Sequence, residues 1–205
     1  MKIAVIGAGN VGGALALQLT KAGHHLIIGT RSPQGEDIKN LLQVNPALEI
    51  RSVAEAAQQA EVILIAAVPK AVREISAQFG DVSQKVIIDA MNSINTKVED
   101  FANTFEALKA WTNCRDIAKC FNTTGYENMA NPVYDNQGID MFVAGSSAKA
   151  KEVARQLSKE IGFAECYDFG GDDKVHLLEQ FAFSWINLAI MQGHGRNIAF
   201  KLIRR

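Results

Sequence analysis

Lys2 to Gly13 reads KIAVIGAGNVGG, and this stretch decides the fold. Ile3, Ala4, Val5 and Ile6 form a short apolar run, the pattern of a strand buried on both faces. Gly7, Gly9 and Gly12 follow at G-x-G-x-x-G spacing, and an Ala/Leu-rich helical pattern continues through Leu15, Leu19 and Ala22. Each glycine has its own task. Gly7 allows the tight turn out of the strand, Gly9 lets a pyrophosphate reach the backbone, and Gly12 lets helix and sheet pack closely. The helix start offers unpaired N–H groups and the positive end of a dipole to a phosphate. Glycine-rich loops are common, but one placed straight after a first strand and about 20 residues before a second marks a dinucleotide fold.

Gly23 closes that helix, and His24 to Gly29 (HHLIIG) reads as the second strand. Chains that bind NAD carry Asp or Glu at the end of this strand to hold the ribose 2′-OH. Here Gly29, Thr30, Arg31 and Ser32 stand in that place, and the first acid is Glu36. A guanidinium with two hydroxyls suits a 2′-phosphate, which an acid would repel. NADP is therefore expected over NAD, held by Thr30, Arg31 and Ser32. The alternative is a solvated arginine beside a helix start at Ser32-Pro33.

Outward from this point, strand and helix patterns alternate. A helix is expected over 34–43, a strand over 49–51, and a helix to Ala60 capped by the Ser52/Glu55 box. Residues 61–68 (EVILIAAV) read as a buried strand that ends at Pro69. In a doubly wound sheet that end lies at the crevice, which puts Ala67, Val68 and Pro69 beside the cofactor. A helix over 71–79 leads to a strand over 85–90, after which Asn92 can meet the nicotinamide ribose or carboxamide, or cap a turn. A helix is expected over 97–111, then a strand over 116–121 and a polar loop with Asn122, Thr124 and Tyr126 at the same sheet edge. Cys120 reads as core rather than nucleophile. A strand over 139–145, a helix from Ser146 to Ile161 and a last strand over 164–169 complete the sheet. The helix expected over 173–192 is apolar nearly all round, so the chain or a second subunit covers it. A short basic helix is expected to end at Arg205. The fold class is α/β, a Rossmann-type doubly wound, mostly parallel sheet with carboxy-terminal helices packed on it. Residues 1–170 form the NADP-binding domain, and residues 171–205 a helical segment at the acceptor-site edge and the dimer interface.

The 205 residues carry a formal net charge of −1, which gives no long-range attraction for nucleic acid or an anionic membrane. Cys114, Cys120 and Cys166 are scattered and odd in number, so neither a disulfide framework nor a zinc site is expected. No secretory signal or membrane span is read, and the expected location is cytoplasmic. There is no G-x-S-x-G elbow, H-E-x-x-H pair or P-loop lysine. His24 and His25 begin a strand as surface residues, and His176 and His194 do not join them in a cluster. Glu179, alone among apolar neighbours, is read first as a capping or salt-bridge carboxylate, second as a buried acid of raised pKa. No catalytic side chain and no metal ligand are assigned. Hydride exchange between a nicotinamide and a flavin-type ring needs no protein acid, only stacking, alignment and exclusion of water.

Six segments carry a family resemblance: GAGNVGGALA, GTRS, ILIAAVP, KCFNTTGYENMANP, MFVAG and LLEQFAFSWINLAIMQGHGRNIAFKL. Through them the chain resembles the NADPH-dependent coenzyme F420 reductases, which share their fold with the reductase domain of the STEAP metalloreductases. The resemblance implies that Gly9, Asn10, Val11 and Gly12 line the pyrophosphate, with Thr30 and Arg31 on the 2′-phosphate. It places Val68, Asn92 and Thr124 to Tyr126 around the nicotinamide and acceptor rings, and it implies a homodimer with the tail at the interface. Where archaeal members carry His-Thr-Ile-Pro-Ala, this chain has Asn122-Thr123-Thr124-Gly125-Tyr126. Tyr126 narrows the acceptor site and leaves FMN, FAD or a quinone-like acceptor open beside F420. An imine reductase resembling pyrroline-5-carboxylate reductase and a non-enzymatic NADP sensor are the other readings.

Overall fold

The computed structural model describes residues 1–94 and 97–205. The first strand, β1 (Lys2–Ile6), turns at Gly7 into α1 (Asn10–Lys21), and β2 (His25–Gly29) pairs parallel to β1. There follow α2 (Glu36–Val44), β3 (Glu49–Arg51), α3 (Val53–Gln59) and β4 (Val62–Ile65). The second half continues with α4 (Val72–Ser76), β5 (Val86–Asp89), α5 (Thr104–Trp111) and β6 (Asp116–Lys119). Next come α6 (Tyr126–Ala130), a small hairpin of β7 (Val133–Tyr134) and β8 (Gln137–Gly138), and β9 (Asp140–Ala144). The last elements are α7 (Ala148–Glu160), β10 (Glu165–Gly170) and α8 (Val175–Ile186).

The main sheet runs β10-β9-β6-β5-β4-β1-β2-β3. The six strands from β3 to β6 are parallel in the doubly wound order 3-2-1-4-5-6, and the β9/β10 pair joins β6 antiparallel. Alternation along each strand fills two cores. Ile3 and Val5 face the α1 and α7 side with Leu15, Leu19 and Leu157. Ala4 and Ile6 face the other side with Val53, Ile75, Phe105 and Leu178. Burial of each such Leu, Ile or Phe side chain contributes roughly 1.5–3 kcal/mol, so the central strands are held from both faces. The expected doubly wound α/β architecture is the one observed, with α8 packed on β9.

Several expected boundaries move, each for a tertiary reason. The fourth strand stops at Ile65 rather than Val68, because the Ala66 N–H makes its last bond to the Ile6 carbonyl and the chain then leaves the sheet. Helix α2 starts at Glu36 after a turn in which Gly35 N–H bonds the Ser32 carbonyl, not at Ser32-Pro33. The helix expected over 97–111 begins only at Thr104, where Asn103 accepts the Glu106 N–H as a cap. Before it, Val98 and Phe101 bond each other in a tight bridge. The cap of α7 is Ser147, one residue beyond the expected Ser146. The short helix α6 and the β7–β8 hairpin occupy residues between the polar loop and the strand at 139 to which the pattern assigned no element.

The tail differs most. No helix forms over 196–205. The tail runs instead as a strap: the Ile198 carbonyl accepts from both Trp185 Nε1 (2.7 Å) and Asn128 Nδ2 (2.8 Å), and the Leu202 N–H bonds Asp140 (2.7 Å). The Phe200 ring stacks on Phe181. Tertiary partners outbid local helix propensity here. The terminal helix itself forms, as a 3₁₀ turn over Asp172–Lys174, then α8, then a π-helical turn over Asn187–Met191. Leu177, Ile190 and Met191 lie exposed on it. His24 is not a surface residue: its side chain is tucked against Glu160 and the amino terminus.

Candidate functional site

The turn between β1 and α1 is shaped by steric limits. Gly7 has φ +105°, and a Cβ there would stand 2.5 Å from the Ala66 carbonyl oxygen. A Cβ on Gly12 would stand 2.0 Å from the Gly7 carbonyl oxygen. At Gly9 nothing lies within 4 Å of the same position, so the loop offers open backbone where the other two glycines are packed. Gly9 is also the N-cap of α1, with no side chain on the first-turn N–H groups and no acid in that turn. The first turn of α1 thus carries no acid and no side-chain cap of its own.

This loop opens on a cavity of about 490 Å³ that is lined by Gly7, Gly9, Asn10, Val11, Thr30, Arg31, Ser32, Ala67 and Val68 among the expected residues. Gly12 is the packing contact behind it, and Pro69 starts the 3₁₀ turn beyond Val68. Asp37, Val53, Ala71 and Ile75 line it too, and sequence reading missed them. At the far end, the Thr30 N–H bonds the Arg51 carbonyl and the Ser32 N–H bonds Thr30 Oγ1 (3.0 Å), which fixes the turn. Gly29 sits in a crowded place: a Cβ would lie 2.5 Å from Ile6 Cδ1 and 3.0 Å from Ala56 Cβ, so both neighbours would have to shift. Arg31 Nη1 donates to Glu74 Oε2 at 2.5 Å, with both side chains more than half exposed.

Asn92 and Asn122 follow β5 and β6 at the same carboxyl edge of the sheet, and they bond each other reciprocally. Asn92 Nδ2 donates to the Asn122 carbonyl (2.8 Å), and Asn122 Nδ2 donates to Asn92 Oδ1 (3.0 Å). Asn122 Oδ1 is buried and accepts no bond from the described residues. A buried acceptor without a donor costs about 1–3 kcal/mol, and neither asparagine lines the first cavity. Thr124 Oγ1 accepts from Asn128 and is committed to the tail strap. Tyr126 is not in the first cavity. It lines a second cavity of about 310 Å³ with Ala14, Leu17 and Leu41, which shares Gly9, Asn10 and Asp37 with the first. The Arg196 guanidinium stands 5.3 Å from the Tyr126 ring centroid and pairs with Glu127.

Directly beneath the asparagines lies a charged network that sequence reading saw only in Glu179. Lys119 Nζ is fully buried and donates to Asp89 Oδ2 (2.8 Å) and Glu179 Oε1 (2.6 Å). Thr104 Oγ1 bonds Asp89 (2.6 Å), the Met91 N–H takes its other oxygen, and the Ser93 N–H reaches Glu179. Burial alone would push the Lys119 ammonium down; the two carboxylates outweigh it and hold its pKa above the ordinary lysine value. Glu179 is therefore a salt-bridge carboxylate, tying α8 to the ends of β5 and β6. His176 and His194 are exposed. Among the described residues no group of His, Cys, Asp or Glu could hold a metal ion, and no helix is long and apolar enough to cross a membrane.

Residues 2–93 match the family described as NADP oxidoreductase, coenzyme F420-dependent. An F420-dependent NADP reductase of Methanothermobacter marburgensis is 28% identical over 211 residues, covering 93% of each chain. The chain thus resembles the F420-dependent NADP reductases over nearly its whole length. With that resemblance the reading of an NADP-dependent oxidoreductase stands. A crystal structure of a candidate F420-dependent NADP reductase from Arthrobacter sp. FB24 superposes with TM-score 0.87 at 25% identity, over the whole of both chains. A glycerol-3-phosphate dehydrogenase [NAD(P)+] of Thermoanaerobacter sp. is 28% identical over 167 residues, and the match spans 77% of this chain but only 43% of that protein.

Proposed function

We propose that the chain moves hydride directly between NADP(H) and a deazaflavin of the F420 type. The observation that carries this is the open Gly9 face and uncapped start of α1, joined by one cavity to Thr30, Arg31 and Ser32. The α1 N–H groups and Gly9 would hold the pyrophosphate, and Arg31 with the two hydroxyls the 2′-phosphate. Ala67 and Val68 would wall the ribose beyond it, with Pro69 turning the chain away. The unpaired Asn122 Oδ1, fixed by Asn92, would accept a carboxamide N–H and set the nicotinamide face. When bound, the nicotinamide supplies the hydride, and the acceptor ring takes it together with a proton from water. The chain's part is then to align two rings and keep water from between them.

Thr124 and Tyr126 stand near the acceptor end in this proposal, with Tyr126 limiting which ring fits. The carboxy-terminal segment, residues 171–205, edges that site, and its exposed Leu177, Ile190 and Met191 would pair two copies of the chain; sedimentation as a monomer would remove that pairing. The test of the function is NADPH oxidation with F420, FMN, FAD and a cyclic imine in turn. Fastest turnover with F420 is expected. Tight NADPH binding with no turnover on any of them would make the chain a sensor, and turnover on the imine alone would make it an imine reductase.

A further inference from the structure

Glu74 was no part of the sequence-based site, yet its carboxylate reaches the side chain on which coenzyme choice rests. It stands on α4, 43 residues along the chain from Arg31, and accepts from Arg31 Nη1 at 2.5 Å. Neighbouring charges have other partners: Arg73 pairs with Glu99, and Arg51 with Glu49. Arg31 lines two adjoining cavities, the one at the glycine turn and a second of about 450 Å³ bounded by Arg51, Ser52 and Gln78. The guanidinium therefore sits at a junction with one carboxylate already on it.

We infer that Glu74 is a specificity-determining residue, a counter-ion on Arg31 that an incoming 2′-phosphate must displace. This rests on the NADP reading proposed above. A phosphomonoester brings close to two negative charges to the same fork of donors, and a carboxylate bonded to that fork repels it. Binding NADP(H) thus includes the loss of the Arg31–Glu74 bond, a cost that NAD(H) does not incur. With the unphosphorylated coenzyme, Glu74 keeps Arg31 neutralised. Glu74 therefore narrows the preference for the phosphorylated coenzyme rather than creating it.

The test is calorimetry with 2′,5′-ADP and with ADP, which isolate this end of the coenzyme, on the wild type, Glu74→Gln, Arg31→Ala and the double variant. Exposed ion pairs are weak, so Glu74→Gln is expected to tighten 2′,5′-ADP about three- to fivefold and to leave ADP unchanged or slightly weaker. In the Arg31→Ala background the same substitution should do nothing. Equal 2′,5′-ADP affinity in the wild type and Glu74→Gln, with Arg31→Ala still weakening it, would overturn the role of Glu74 and leave the NADP reading intact. If Arg31→Ala itself left 2′,5′-ADP unchanged, the 2′-phosphate would be seated elsewhere and both would fall.

Discussion

Two ion pairs in this molecule use the same chemistry to opposite ends. Arg31 and Glu74 meet at the mouth of the cavity with their side chains 57% and 55% exposed, whereas Lys119, Asp89 and Glu179 meet under the asparagines at 0%, 0% and 5%. Water screens the first, so it contributes little to folding and can open for a ligand. The second has no water to return to. Its charges are held by Thr104, Met91 and Ser93 as well as by each other, so it joins three elements permanently. Burial, rather than residue type, separates a contact that can be exchanged from one that cannot.

The largest effect should come from the buried side. Lys119→Met leaves two carboxylates facing each other without a cation, and a loss of about 3–5 kcal/mol in denaturant unfolding is expected. Removing the charges together, as Lys119→Met with Asp89→Asn and Glu179→Gln, should recover much of that loss. If the single substitution costs less than about 1 kcal/mol, the contrast with the surface pair disappears. On the exposed side, Arg31→Ala should weaken NADPH about 10–100-fold, since a charged hydrogen bond contributes roughly 1.5–3 kcal/mol, while NADH and unfolding stability barely move. Equal losses for both coenzymes would break the comparison from the other end.

Smaller effects sharpen it. Tyr126→Ala should change acceptor kinetics more than NADPH affinity, because the ring lines the second cavity and not the first; unchanged acceptor kinetics would take Tyr126 out of the site. The last concerns pH. The Lys119 pKa is raised in the folded protein, so its stabilisation is fully present below the unfolded lysine value of about 10.4 and is lost as pH climbs through the folded value. The wild type should therefore lose stability in that alkaline window by more than Lys119→Met does. Parallel curves for the two proteins would show that the ammonium has no such role.

What could be read in the sequence follows the range of the interaction. The glycine turn, the Thr-Arg-Ser strand end and the Ser52/Glu55 capping box are set by neighbours a few residues apart, and all three stand where the pattern put them. The central strands announce themselves as apolar runs. Lys119 gives no such signal, since its partners lie 30 and 60 positions away, and in DIAKCF it looks like an ordinary strand lysine. Glu74 is hidden for the same reason. The tail was misread because its basic and apolar residues suit a short helix, while the donors that hold it, Trp185 and Asn128, belong to other elements. Tyr126 was placed with the acceptor by resemblance, and only in three dimensions does it line a second cavity that meets the first at Gly9, Asn10 and Asp37.

The crowding at Gly29 limits how this lineage could drift toward the unphosphorylated coenzyme. An acid planted at that position would drive its Cβ into Ile6 and Ala56. The next residue is a more open door: at Thr30, aspartate could take over the N–H of Ser32 that the hydroxyl now accepts. Thr30 thus offers an acid more room than Gly29 does.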